Sequence, residues 1–182
     1  MSLRDSIKPI HDRAEHHPLA QAMITGGIAA EVYVDLLASL LIVYGDLESK
    51  ARKEGLLAEL AGVSRYQLML EDLVELISDN GLGASGYESF IDDYCDHIWK
   101  QDNEGVLAHL YVHHMGDLFG GQILKNKLPG KCRRYDFTDR DDLITKIRAS
   151  LTDSEKTKQE AIHAFEFVIS LYDKVAAKHN IH

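Results

Sequence analysis

Tyr111-Val-His-His-Met-Gly116-Asp117-Leu-Phe-Gly120-Gly121-Gln122 sets three glycines and a carboxylate inside a stretch whose apolar residues otherwise repeat at helical spacing. Glycine in a helix interior costs about 1 kcal/mol relative to alanine. Gly116, Gly120 and Gly121 are therefore a costly break in the pattern, where a backbone bends and comes close to something flat or bulky. A plain loop between two helices is the competing reading of the same residues.

The surrounding chain reads as helix almost throughout. Pro9, Pro18 and Pro129 are the only prolines, and no alternation of strand type persists beyond a few residues. A first helix is predicted over about Leu3 to His16, with Pro9 in its early part. Pro18 opens a short second helix that stops at Gly26-Gly27. A long helix from Ala29 to Lys53 places Val32, Leu36, Ser39, Leu40, Val43 and Leu47 inward. Ser64 caps a helix to Ser78, and Ser85 caps another carrying Tyr87, Phe90, Ile91, Tyr94 and Ile98. The glycine-bearing helix covers Glu104 to Lys127, and residues Leu128 to Asp139 form a loop. Asp141 or a neighbour caps a helix to Leu151, and Thr152 opens the last, reaching Lys178. The expected fold is all-α: one compact bundle over residues 1–182.

Composition narrows the function. A chain of 182 residues is one domain by length and buries roughly 70% of its unfolded surface. The net charge of −9 argues against nucleic acid as a partner, because phosphate binding needs a basic surface. Lys125, Lys127, Lys131, Arg133 and Arg134 form a local basic run, read either as a docking patch for an acidic protein or as a solvated loop. No apolar run approaches the ~20 residues of a membrane span, and the N-terminus has no apolar centre of signal-peptide type. A cytoplasmic protein is expected, without a membrane tail. Cys95 and Cys132 lack metal-type spacing and are expected to be reduced and structural.

A second motif, His11-Asp-Arg-Ala-Glu15, lies near the N-terminus. With His11, Ala14 and Glu15 on one helix, then Gly116, Asp117, Leu118, Gly120, Gly121 and Gln122 on another, the chain resembles the haem oxygenase family. Weaker similarity runs through Ala38 to Tyr44 and Leu47-Glu48, and returns at Ala161-Ile-His-Ala-Phe165. It thins between about Leu128 and Lys156.

The resemblance implies a kinked distal helix and a haem oxygenase-like bundle. It implies haem b as both cofactor and substrate, opened with O2 at a meso carbon, the alpha position expected, to biliverdin, carbon monoxide and ferrous iron. His11 becomes the axial iron ligand, with Glu15 as the acceptor that fixes its ring. Arg4, Lys8 and Tyr111 meet the haem propionates, with Arg148, or else Lys146, as a further basic partner. Gly116 and Gly120 let the backbone lie against the macrocycle, and Gly121 belongs to the same contact. Asp117 orders waters that deliver a proton to the bound dioxygen, or serves simply as a cap. Phe165 lines the distal side, or is a core residue. Two positions depart from the family pattern. Phe119 stands where a small residue is common, and either swings outward or narrows the pocket. His113 stands where an arginine is common. The remaining histidines, His16, His17, His109, His114 and His163, together with His113, are expected mostly at the surface or lining the pocket.

Nothing in the chain resembles a nicotinamide or flavin fingerprint, so electrons come from outside. A ferredoxin is the preferred donor and a flavoprotein reductase the alternative. A non-catalytic haem carrier or sensor of the same fold is the second reading, opposed by Asp117 and the glycines. A di-iron carboxylate protein needs paired Glu-x-x-His motifs, and only Glu160-Ala-Ile-His163 fits. A thiamin-type hydrolase needs a nucleophilic cysteine, and neither Cys95 nor Cys132 lies in a motif for one.

Overall fold

The computed structural model describes residues 2–84 and 87–182, which form eight α-helices and one 3-10 turn, with no strand among them. The helices are α1 (Leu3–Glu15), α2 (Pro18–Thr25), α3 (Ala30–Lys53), α4 (Tyr66–Asn80), α5 (Glu88–Lys100), α6 (Asn103–Leu124), α7 (Arg140–Ala149) and α8 (Glu155–His179). The cap expected at Ser85 lies outside the described residues.

Local signals set most of the ends. Ser2 and Asp5 form a capping box at the start of α1, and Pro18 is the first residue of α2. Gly26 ends α2 in the left-handed conformation at φ 77°, where a residue with a Cβ would be strained. Other ends depend on contacts distant in sequence. The cap of α4 is Arg65, not Ser64, and its side chain makes no capping bond. Instead the buried Glu48 of α3 accepts from the Arg65 backbone N–H at 2.6 Å and from Tyr66 N–H at 3.4 Å. The cap of α7 falls at Asp139, and that of α8 at Ser154, whose hydroxyl accepts from Thr157 N–H at 3.0 Å.

Helix α3 is the centre, packing on α4, α5, α6 and α8, with Val34, Leu37, Val43 and Leu47 fully buried. Each such side chain contributes about 1.5–3 kcal/mol of hydrophobic stabilisation. Helices α6 and α8 form the most extensive pair, and α1 lies mainly against α8. A second, small apolar cluster joins these three: Ile7 from α1, Ala108 and Val112 from α6, Ala161 and Ala164 from α8.

The glycines do not interrupt α6, which runs as helix from Asn103 to Leu124. The expected loop after it contains the 3-10 turn Arg133–Tyr135. Most charges of the basic run there are paired. Lys125 pairs with Asp136, Lys131 with Glu75 at 2.8 Å, and Arg133 with Asp72 at 2.8 Å and Glu75 at 2.5 Å, while Arg134 is buried. The turn sits on α6 where Gly121 leaves room: a Cβ at Gly121 would collide with the Tyr135 ring. Gly121→Ala is therefore expected to lower stability by about 1–3 kcal/mol, read as an earlier midpoint in urea unfolding.

Candidate functional site

Ala108, Val112, Gly116 and Gly120 stand four residues apart and so make one stripe along α6. The first two belong to the cluster with Ile7, Ala161 and Ala164. Beyond them, nothing lies within 4 Å of where a Cβ at Gly116 or Gly120 would sit. On α1, His11 is one turn past Ile7, and its side chain is 55% exposed. Its ring meets the Phe165 ring edge-on, with centroids 5.7 Å apart. A strip of bare backbone and an open imidazole thus border the same apolar cluster.

Glu15 lies beside His11 but shares that place with Asp12. Their carboxylate oxygens are 3.8 and 3.7 Å from His11 Nδ1, both beyond hydrogen-bond length. Lys8 leans along α1 onto Asp12 at 2.5 Å. Tyr111 is partly buried at the edge of the small cluster. Burial raises its phenol, while the charges of Arg148 and Arg4 act in the opposite direction, so both guanidinium groups are felt at that hydroxyl. Lys146 is instead held by Asp142 at 2.7 Å. Phe119 is 45% exposed and points outward, under Arg140 and Arg148 at 5.0 and 5.6 Å from its ring centre.

Asp117 points into the protein, only 4% exposed. Arg134 donates to its Oδ1 at 2.6 Å, the Tyr44 hydroxyl donates to its Oδ2 at 2.8 Å, and Arg134 also donates to the Tyr44 oxygen at 3.2 Å. Burial works to lower the Arg134 pKa, but the Asp117 charge and the oxygens of Tyr135, Tyr44 and Tyr33 together outweigh it and hold the guanidinium firmly protonated. The Tyr44 phenol is pushed far up by burial and by the Asp117 charge. The triangle ties α6 to α3 and to the 3-10 turn.

A second chain of polar groups starts one turn away. His113 Nε2 is 3.0 Å from the Tyr94 hydroxyl, which is 2.7 Å from His109 Nδ1. His109 Nε2 is 3.1 Å from Glu160 Oε2. His114 Nε2 is 3.2 Å from Glu48. His109, His113 and His114 are therefore core residues, contrary to the surface or pocket-lining placement expected for them; each is buried because a partner on another helix, or a tyrosine between helices, satisfies its ring. Burial pushes the His113 pKa far down, helped by the nearby charges of His109, His114 and Arg134.

Arg134, Tyr44, Tyr94 and Glu48 were not legible as functional positions. Arg134 read as one cation among five in a loop, Tyr94 as a helix residue among apolar neighbours, and Tyr44 and Glu48 only as part of the weaker family similarity.

The family model "Heme oxygenase" matches residues 1–174. The chain is 23% identical to heme oxygenase 2 of Rattus norvegicus over 95% of its own length and 64% of that protein, so it spans a little under two thirds of this mammalian relative. It is 25% identical to heme oxygenase 1 of the Synechocystis strain over 95% of its length and 82% of that protein. Among solved structures, the heme oxygenase of Leptospira interrogans matches with a TM-score of 0.78 and 25% identity, covering 96% of this chain and 100% of that one. Heme oxygenase-2 of Synechocystis, solved with heme and NO, matches with a TM-score of 0.80 and 24% identity, covering 98% and 88%. The helical bundle, with its glycine stripe and exposed histidine, is thus of the haem oxygenase type. This chain belongs to the haem oxygenase family.

Two expectations follow from the buried groups. Asp117→Ala strands the Arg134 charge and is expected to cost about 3–5 kcal/mol in urea unfolding, much of it regained in Asp117→Ala/Arg134→Met, where neither charge remains. His113 has a depressed folded-state pKa, so its contribution is fully present above the unfolded value near 6.5 and is lost as pH falls below it. Haem-free protein is expected to lose stability between pH 7.5 and 5, with a shallower dependence in His113→Gln, measured by urea unfolding at each pH.

Proposed function

We propose that this protein is a haem oxygenase, with residues 1–182 acting as one catalytic domain that opens haem b to biliverdin, carbon monoxide and ferrous iron. The observation that carries the reading is the uncovered Gly116–Gly120 strip beside the exposed His11. These residues fit a haem: side chains at both glycine positions would fill the space over α6, and a neutral imidazole is an iron ligand. When bound, haem supplies both the iron at which dioxygen is reduced and the porphyrin that is opened.

The chain's own residues divide the remaining tasks. His11 holds the iron through a ring nitrogen, and Glu15 and Asp12 restrict the ring's orientation. Phe165 supports the ring from α8. Arg4 and Arg148, with Lys8 once it leaves Asp12, neutralise the two carboxylates of haem, and Tyr111 donates a hydrogen bond to one, fixing the rotation in favour of the alpha meso carbon. Arg148 is the better partner than Lys146, whose charge Asp142 already engages. Gly116 and Gly120 admit the macrocycle, whereas Gly121 serves the site indirectly by seating Tyr135. Asp117, paired with Arg134 and joined to Tyr44, holds a negative charge behind the glycines and orders the proton supply. Electrons come from an external donor, a ferredoxin in preference to a flavoprotein reductase, in a reducing cytoplasm where the buried Cys95 and Cys132 stay as thiols.

Turnover of the ferric haem complex with reduced ferredoxin in air tests the reading. Loss of the Soret band with biliverdin as the chromatographed product is expected. Asp117→Ala/Arg134→Met should bind haem but not turn it over, and His11→Ala should change the ligation spectrum. A complex that only cycles between oxidation states would make the protein a carrier or sensor, and absence of haem binding would remove the haem reading altogether. Gly116→Ala and Gly120→Ala are expected to stabilise the haem-free protein by up to about 1 kcal/mol each, while weakening haem binding more than tenfold in spectroscopic titration.

A further inference from the structure

The motif Glu160-Ala-Ile-His163 has no task in the haem chemistry, yet it meets two further histidines. Its spacing of three puts both side chains on one face of α8. Facing them are His97 from α5 and His109 from α6. One ligand atom from each of the four residues lies within 4.8 Å of the other three. Glu160 Oε2 is 2.7 Å from His97 Nε2 and 3.1 Å from His109 Nε2. The rings of His97 and His163 stand at 86° with centroids 4.1 Å apart, and those of His109 and His163 at 76° and 6.0 Å. The rings pack edge to face, and their donor atoms gather with the Glu160 carboxylate around one point.

We propose that His97, His109, Glu160 and His163 bind a single divalent transition-metal ion, zinc being the best match, at a site separate from the haem. Three imidazoles and one carboxylate are a tetrahedral zinc donor set. In such a site the ligand atoms stand about 3.3 Å apart, from metal–ligand bonds of about 2.0–2.1 Å, so small movements of the side-chain tips close the cluster around the ion. Among the described residues His163 makes no hydrogen bond, which leaves its ring nitrogens available. A cleft bordered by Phe90, Tyr94, His163 and Phe167 opens beside it and gives an ion an entry path. The Gln101 amide, 3.0 Å from His97 Nε2, turns away to free that nitrogen for the ion.

The ion would do two things. It clamps α5, α6 and α8 at one point, and it sets the direction of the hydrogen bonds leading to the distal side. Without metal, His109 carries its proton on Nε2 to serve Glu160, and its Nδ1 accepts from Tyr94. With metal on Nε2 the proton moves to Nδ1, which donates to Tyr94. The Tyr94 hydroxyl then donates to His113 Nε2, so the chain is reversed up to the residue one turn before Asp117.

Haem-free protein stripped with a chelator and titrated with Co2+ tests this without involving the haem reaction. One equivalent is expected to bind with the intense visible bands of tetrahedral cobalt, and Zn2+ should displace it. His163→Ala and His97→Gln, each shown to be helical by circular dichroism, should bind at least tenfold more weakly. His11→Ala should bind as the parent does, because the other grouping of ligand atoms, His11, Asp12 and Glu15, lies on α1. Absence of stoichiometric tetrahedral cobalt, or binding that survives His163→Ala and His97→Gln, would overturn the proposal, as would binding lost in His11→Ala.

Discussion

The ion pair between Asp117 and Arg134 is the constraint on which the rest of the site depends. Both groups are almost fully buried, and a charge taken out of water is tolerated only with a close partner and further hydrogen bonds. Tyr44 supplies the third corner, fixing α6 to the central α3. The rotation of α6 about its own axis is set by this contact. With Asp117 facing inward, Gly116 and Gly120, one residue before it and three after, are presented on the uncovered side. The same carboxylate therefore orients the helix and lies behind the surface on which a haem would rest.

The glycines divide the work more sharply than their shared motif suggests. Gly116 and Gly120 face open space, whereas Gly121 faces the aromatic ring of Tyr135. That second contact lets the 3-10 turn approach α6 closely enough for Arg134 to reach Asp117. An absent side chain thus serves two ends, close packing on one face and access on the other, and helix propensity is sacrificed for both.

The parts of the fold written in local chemistry were readable from the residues alone. Helical periodicity gave the helices, Pro18 and Gly26 gave the ends of α2, and the spacing of His11 and Glu15 placed them on one face. Contacts between distant segments were not readable. Arg134 reaches Asp117 from a loop with no periodicity, so its sequence neighbourhood suggested only a solvated cation. His109, His113 and His114 look alike in sequence to surface histidines, and only Glu160, Tyr94 and Glu48, on other helices, make them core residues. The start of α4 was misplaced by one residue for the same reason, its first backbone amides donating to a glutamate 17 positions earlier.

The central claim is that His11 and the Gly116–Gly120 strip bracket one haem, with Asp117 fixed behind the strip by Arg134. A crystal structure of the haem-bound protein tests it most directly. The account predicts iron ligated by His11, the macrocycle against the backbone at Gly116 and Gly120, and an unchanged Asp117–Arg134 pair. Haem seated elsewhere, ligated by another histidine, or an Asp117 carboxylate turned away from Arg134, would contradict it.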